Sequence, residues 1–131
     1  MLVEEIMTPK DRLIFISQMA TIRDALQIMK RNKVRSLVVE KSSKNGAYGL
    51  LTFKNILQSI VAEDGDIDLL NVYDIASNPA VSVSGKLDIK YAARMMVSNS
   101  IKRLLVIDNN EILGILTMTD ILGILMDTAE I

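Results

Sequence analysis

The sequence predicts an α/β chain of the α+β type, built from two copies of one strand–helix–strand–strand–helix unit. The phrase GILTMTDIL (Gly114–Leu122) repeats GLLTFKNIL (Gly49–Leu57), with five of nine residues identical. The match continues upstream. TIRDALQIMKRNKVRSLVV from Thr21 answers DIKYAARMMVSNSIKRLLV from Asp88, and VEEIM from Val3 answers VYDIA from Val72. Apolar positions also change between helical and extended spacing at the same places in both copies.

The offset between copies falls from 69 in the lead-in to 67 in the helix and 65 in the closing phrase, so the first copy carries two extra residues in each of two loops. Insertions collect in loops, which supports one shared fold. The predicted organisation is a first repeat over residues 1–61, a connection over 62–71 and a second repeat over 72–131. Units of roughly sixty residues are related subdomains rather than a solenoid. One such unit cannot enclose its own apolar faces, so the copies are expected to pack together.

Each copy begins with a weak strand, LIFIS (Leu13–Ser17) or AVSVS (Ala80–Ser84). A helix follows in which Ile22, Ala25, Leu26 and Met29, or Ile89, Ala92, Ala93 and Met96, form one apolar stripe. Thr21 and Asp88 stand just before these stripes, and both are N-cap residue types. A β-branched run at Leu37 or Leu104 reads as a buried strand. Asn45–Gly46 and Asn109–Asn110 read as the turns of hairpins. The second hairpin strand, YGLLT or LGILT, leads into a short helix, KNILQSIV or TDILGILM.

Composition removes several function classes. The 131 residues contain no Cys and no His. That excludes a disulfide framework and thiolate chemistry, and removes the commonest general base and metal ligand. A net charge of −1 and 4% aromatic residues disfavour nucleic-acid binding. Apolar runs are only a few residues long, too short to insert in a membrane. The acidic start MLVEEIM shows no signal-peptide pattern. A cytoplasmic location is therefore expected.

The tandem pattern resembles a pair of cystathionine-β-synthase-like (CBS) domains, a Bateman module. The resemblance rests on the "IMT" and "IASNP" lead-ins, the Met-containing helix, the "LLVID" strand and G-x-x-T-x-x-D followed by Ile-Leu. It covers nearly the whole chain. One departure is that many members carry Pro in the first hairpin strand, where Leu37 and Leu105 lie nearby. The resemblance implies two β-α-β-β-α repeats packed about a pseudo-two-fold axis, a homodimer, and two clefts between repeats that take AMP, ADP, ATP or S-adenosylmethionine.

It also implies site residues. Asp120 ends G-x-x-T-x-x-D and would accept both hydroxyls of a ribose cis-diol, a match for its two acceptor oxygens. Thr117 would lie near ribose and phosphate. From the nine residues alone, both read as a helix cap; the full tandem pattern adds the ligand role, and the two are compatible. Because the family builds each cleft crosswise, Ile14, Val34, Arg35 and Ser36 are expected to complete the Asp120 cleft, with Arg35 toward phosphate. Thr52, Asn55, Val81, Ile101, Lys102 and Arg103 would form the second, weaker cleft. Arg35, Lys102 and Arg103 also read as a solvated edge after a helix C-terminus, where cations are favoured; within the family frame Arg103 reads as a ligand contact, and Lys102 reads either way.

No catalytic residues and no metal ligands are assigned. Glu63, Asp64, Asp66 and Asp68 fail the EF-hand spacing, because Leu69 and Ile75 stand where Gly and Glu are needed. The Met residues suit packing. The expected function is regulatory sensing of an adenosine-containing ligand, with no required cofactor and an effector protein as a further partner. The alternative is a ligand-independent dimerisation module. Catalysis is disfavoured.

Overall fold

Residues 1–130 are described in a computed structural model, and they divide into two compact units. Unit 1 comprises Met1–Leu13 with Val81–Ile131, and unit 2 comprises Ile14–Ala80. The units therefore differ from the sequence repeats. Each is the body of one repeat joined by the lead-in of the other.

In unit 2, β2 (Phe15–Ile16), β3 (Ser36–Val39) and β4 (Gly49–Thr52) form a sheet in the order β2-β3-β4. β2 runs parallel to β3 and β3 antiparallel to β4. Helix α2 (Ile22–Asn32) connects the parallel pair. Its stripe does what the spacing predicts: Ile22, Ala25 and Met29 are buried with Leu37, Val39 and Leu51, and Leu26 packs at the margin. Thr21 and Asp24 form a capping box, each side chain accepting the other's backbone N–H at 3.1 Å. Lys33, in the left-handed region at φ 55°, ends the helix.

Unit 1 repeats this plan with a fourth strand. Its sheet order is β1-β7-β6-β5, from β1 (Thr8–Pro9), β5 (Ser82–Val83), β6 (Arg103–Asp108) and β7 (Glu111–Thr117). Helix α5 (Ile89–Asn99) is capped by Asp88, whose carboxylate accepts the Lys90 N–H at 2.9 Å. The predicted turn is realised: Asn109 and Asn110 have φ of 53° and 61°, as a two-residue type I′ hairpin requires. The first copy differs. Its extra loop residues place the turn at Ser43–Gly46, closed by Gly46 N–H to Ser43 C=O at 2.9 Å, with no left-handed residue there.

The lead-ins form the short helices α1 (Val3–Ile6) and α4 (Val72–Ile75). Val3 has no exposed surface and lies in the core with Leu104, Val106 and Leu116, while Val72 does the same beside Leu37 and Leu51. The backbone bonds match. Val3 N–H donates to Leu87 C=O and Ile89 N–H to Met1 C=O; Val72 N–H donates to Ala20 C=O and Ile22 N–H to Leu70 C=O. These bonds satisfy first-turn N–H groups that a helix leaves unpaired.

The same crossings explain the glycine that opens both copied phrases. Thr8–Pro9 pairs with Gly114–Ile115, and Ser77 bridges Leu50 beside Gly49. A Cβ on Gly114 would collide with the Thr8 carbonyl oxygen, and one on Gly49 would sit 3.0 Å from the Ser77 carbonyl oxygen.

The stretch expected as a free connection is built into unit 2. Ile67 and Leu70 pack on its core, Ile67 C=O accepts the Arg23 N–H, and Asp68 pairs with the Arg23 guanidinium. That pairing holds the Asp68 carboxyl below its ordinary pKa, chiefly through the hydrogen bond from Arg23. The short closing helices also diverge. α3 (Phe53–Ile56) widens into a π-helix over Leu57–Ala62, ending in a Glu63 N–H to Gln58 C=O bond, whereas α6 (Met118–Ala129) stays α-helical.

Val3→Ala is expected to cost about 2–3 kcal/mol, with hydrogen-exchange protection falling in α5, β6 and β7 rather than in α2, β3 and β4. Val72→Ala is expected to reverse that pattern. Gly114→Ala should destabilise unit 1 by about 1–3 kcal/mol in urea titration. Gly123→Ala, mid-helix in α6 with open space around its Cβ, should stabilise by about 0.5–1 kcal/mol.

Candidate ligand-binding site

Both copies of the phrase fold into the same corner, where a strand ends and a helix starts. In unit 1, Thr117 closes β7 and caps α6. Its hydroxyl accepts the Asp120 N–H at 3.1 Å, and Asp120 Oδ2 accepts the Thr117 N–H at 2.9 Å. Asp120 is half-buried, and its Oδ1 takes no hydrogen bond from a described residue. The corner thus presents one carboxylate oxygen at a helix start, where negative charge is favoured.

The end of β6 borders this corner. Arg103 pairs with Thr117, and Lys102 C=O accepts the Met118 N–H at 3.0 Å. Ile101 N–H closes α5 on Met96 C=O, and its side chain lies at the core margin. Val81, half-exposed, accepts the Leu105 N–H through its carbonyl. Unit 1 therefore holds Val81, Ile101, Lys102, Arg103, Thr117 and Asp120.

Unit 2 holds the other six expected residues. Ile14 C=O accepts the Val38 N–H at 2.9 Å. Val34 N–H donates to Met29 C=O at 3.1 Å, Arg35 C=O accepts the Phe53 N–H at 2.9 Å, and Ser36 pairs with Thr52. Thr52 and Asn55 form the second corner: Asn55 Oδ1 accepts the Thr52 N–H at 2.9 Å and the Thr52 hydroxyl at 3.0 Å. Each expected set of site residues is thus divided between the two units.

A groove in unit 2 between β2 and α2 has no signature in the sequence. It has a volume of about 430 Å³ and is lined by Phe15, Asp24, Gln27, Arg31 and Glu40 among others, and by none of the candidate residues. Its polar residues lie on the solvent side of the apolar helical stripe, which by spacing alone reads as an ordinary exposed face.

The pattern that defines the CBS domain matches residues 3–62 and again 72–127. The chain belongs to the CBS domain family. An uncharacterised protein of Methanopyrus kandleri is 29% identical over 97 residues, covering 73% of this chain and 49% of that protein. The CBS pair thus spans about half the length of that relative. A hexameric CBS-CP12 protein from bloom-forming cyanobacteria is 34% identical with a TM-score of 0.85, over 93% of this chain and 69% of the other. CBSX2 of Arabidopsis thaliana, solved in complex with AMP, shares the fold at 22% identity and a TM-score of 0.78, over 98% of both chains.

Asp120→Ala removes the acceptor for the Thr117 N–H and should cost about 1 kcal/mol in urea unfolding. Asp120→Asn keeps an acceptor there and should stay within about 0.5 kcal/mol of the parent.

Proposed function

We propose that this CBS pair is a regulatory module that binds an adenosine-containing ligand, with Asp120 accepting the ribose hydroxyls. The observation that carries the reading is the Asp120 carboxylate. One oxygen is fixed by the Thr117 N–H while the other is left to accept. Thr117 lies beside it, while Lys102 and Arg103 belong, with Thr52, Asn55, Val81 and Ile101, to the second, weaker cleft. Ile14, Val34, Arg35 and Ser36 of the other repeat would supply the remaining contacts to base and phosphate, as the family resemblance implies. AMP is the first candidate, since the CBSX2 protein of the same fold was solved with it; ADP, ATP and S-adenosylmethionine share the same diol. The role is regulatory rather than catalytic, in a cytoplasmic homodimer that signals to an effector protein.

A second reading, assembly without a ligand, is favoured by a different feature. Met118, Leu122, Leu125 and Met126 are exposed on α6 at helical spacing, a stripe suited to contact with another helix. The hexameric state of the CBS-CP12 relative is in line with such a role.

Titration calorimetry with AMP should show binding that Asp120→Ala weakens by about tenfold or more, the worth of a charge-assisted hydrogen bond. If millimolar AMP, ADP, ATP and S-adenosylmethionine all leave the melting temperature unchanged, while Leu122→Asp with Leu125→Asp reduces the oligomeric mass, assembly is the function.

A further inference from the structure

The groove between β2 and α2 in unit 2 lies on an open sheet edge. The strand order β2-β3-β4 puts no strand outside β2. Ile14 and Ile16 turn their C=O groups toward β3, where they accept the Val38 and Glu40 N–H groups at 2.9 Å. In a parallel ladder the residue between two such residues turns its N–H and C=O the other way. Phe15 therefore offers one donor and one acceptor at the open edge.

The other wall of the groove is a second face of α2. Asp24, Gln27, Ile28 and Arg31 line it at i, i+3, i+4 and i+7, while Ile22, Ala25 and Met29 face the core. As the crossover of a parallel strand pair, α2 runs opposite to β2. Its Asp24 end thus lies by Ser17, and its Arg31 end by Ile14. Glu40 also lines the groove, and it follows Val39, the partner of Ile16, so it sits at the Asp24 end. One end is acidic and the other basic. The side chains of Gln27, Arg31 and Glu40 bond to no described residue. The fold does not demand these charges: unit 1 builds the same strand–helix–strand with Tyr91, Ser98 and Ile107 at the positions of Asp24, Arg31 and Glu40.

The edge and the helix face share one symmetry. A residue with both backbone groups turned outward can pair with its own copy across a two-fold axis, exchanging two N–H···O=C bonds between antiparallel strands. Strands so paired lie about 4.8 Å apart. Helices seated over the two β2–β3 pairs are then antiparallel and about 10 Å apart, which is a packing distance. Read antiparallel, the α2 face complements itself about a point between Gln27 and Ile28. Asp24 meets Arg31 of the second copy, and Gln27 meets Ile28. We infer that this face is a self-association surface, taken by a second copy of this chain with the two β2 strands antiparallel and each Arg31 against the acidic end of the other copy. It is a different surface from the exposed stripe of α6, and it does not rest on the ligand reading.

The chain has no Cys, so a single introduced one reports this face alone, whatever α6 does. Gln27→Cys lies beside the two-fold axis and should be joined into dimers by a short bismaleimide. Arg94→Cys, the matching exposed position in unit 1, should not be. Adding Arg31→Glu to Gln27→Cys makes both ends acidic. It should cut linking about tenfold, since two ion pairs are lost and like charges are opposed. Adding Asp24→Asn and Glu40→Arg instead makes both ends basic, keeps an acceptor for the helix cap, and should cut linking as much. Mixing these two chains should restore linking, as a mixed dimer identified by its mass.

No linking of Gln27→Cys, equal linking of Arg94→Cys, insensitivity to either charge change, or no recovery on mixing would each overturn the inference. Recovery requires both chains to be folded, so it separates a lost contact from a lost structure.

Discussion

The fold depends on the exchange of lead-ins between repeats. A sixty-residue repeat has one small sheet and two helices, and its core is left open where the long helix begins. Val72 closes that gap for the first repeat and Val3 for the second, each without exposed surface. The exchange also fills a polar deficit. The first N–H groups of α2 and α5 find carbonyls on the incoming segments, at Leu70 and Met1. Apolar burial and helix-end satisfaction thus come from the same few residues, and neither repeat body is complete without chain from the other.

This constraint reaches the candidate site through the glycine. Thr8 and Ser77 pass close to the final hairpin strands: no side chain fits at Gly114, and one at Gly49 would press on the Ser77 carbonyl. The strand then runs three residues to Thr117 or Thr52, where it turns into the helix. The threonine ends the strand, starts the helix and borders the corner, so its side chain is positioned by all three. The pairings Arg103–Thr117 and Ser36–Thr52 fix which residues of the neighbouring strand border each corner.

Much of this was legible in the sequence, because it rests on local rules. The apolar stripes of α2 and α5, the caps at Thr21 and Asp88 and the Asn109–Asn110 turn follow from side-chain spacing and backbone preference. The parts that were not legible depend on distant chain. Nothing near Val3 says that it completes the core of the second repeat, and nothing near the copied Gly, read as a strand residue, says why it lacks a side chain until Thr8 is seen across from it. Residues 62–71 read only as a connection, because acidic residues dominate them; Ile67 and Leu70, which dock, are apolar positions in that run. The π-helical turn at Leu57–Ala62 has no sequence signal, since QSIV and GILM suit an α-helix equally. At the site, residue types were readable but bonding states were not. That Asn55 has one acceptor oxygen is evident from its name; that Thr52 uses both of its lone pairs required coordinates.

The difference between the corners also shows why duplication can separate folding from recognition. A capping box needs an acceptor at its third position, and Asp and Asn both provide one. In each corner, one oxygen of that residue accepts the threonine N–H, at 2.9 Å in both units. Everything beyond that oxygen is irrelevant to the cap. In Asp120 the remainder is a charged acceptor, and in Asn55 it is a donor pair. A single exchange of O for NH₂ therefore inverts the surface offered to a ligand while the helix start, the strand register and the buried core stay as they were. Two copies of one fold can then carry opposite hydrogen-bonding preferences at almost no cost in stability, because the atom that holds the cap and the atom left uncommitted are different atoms of the same side chain.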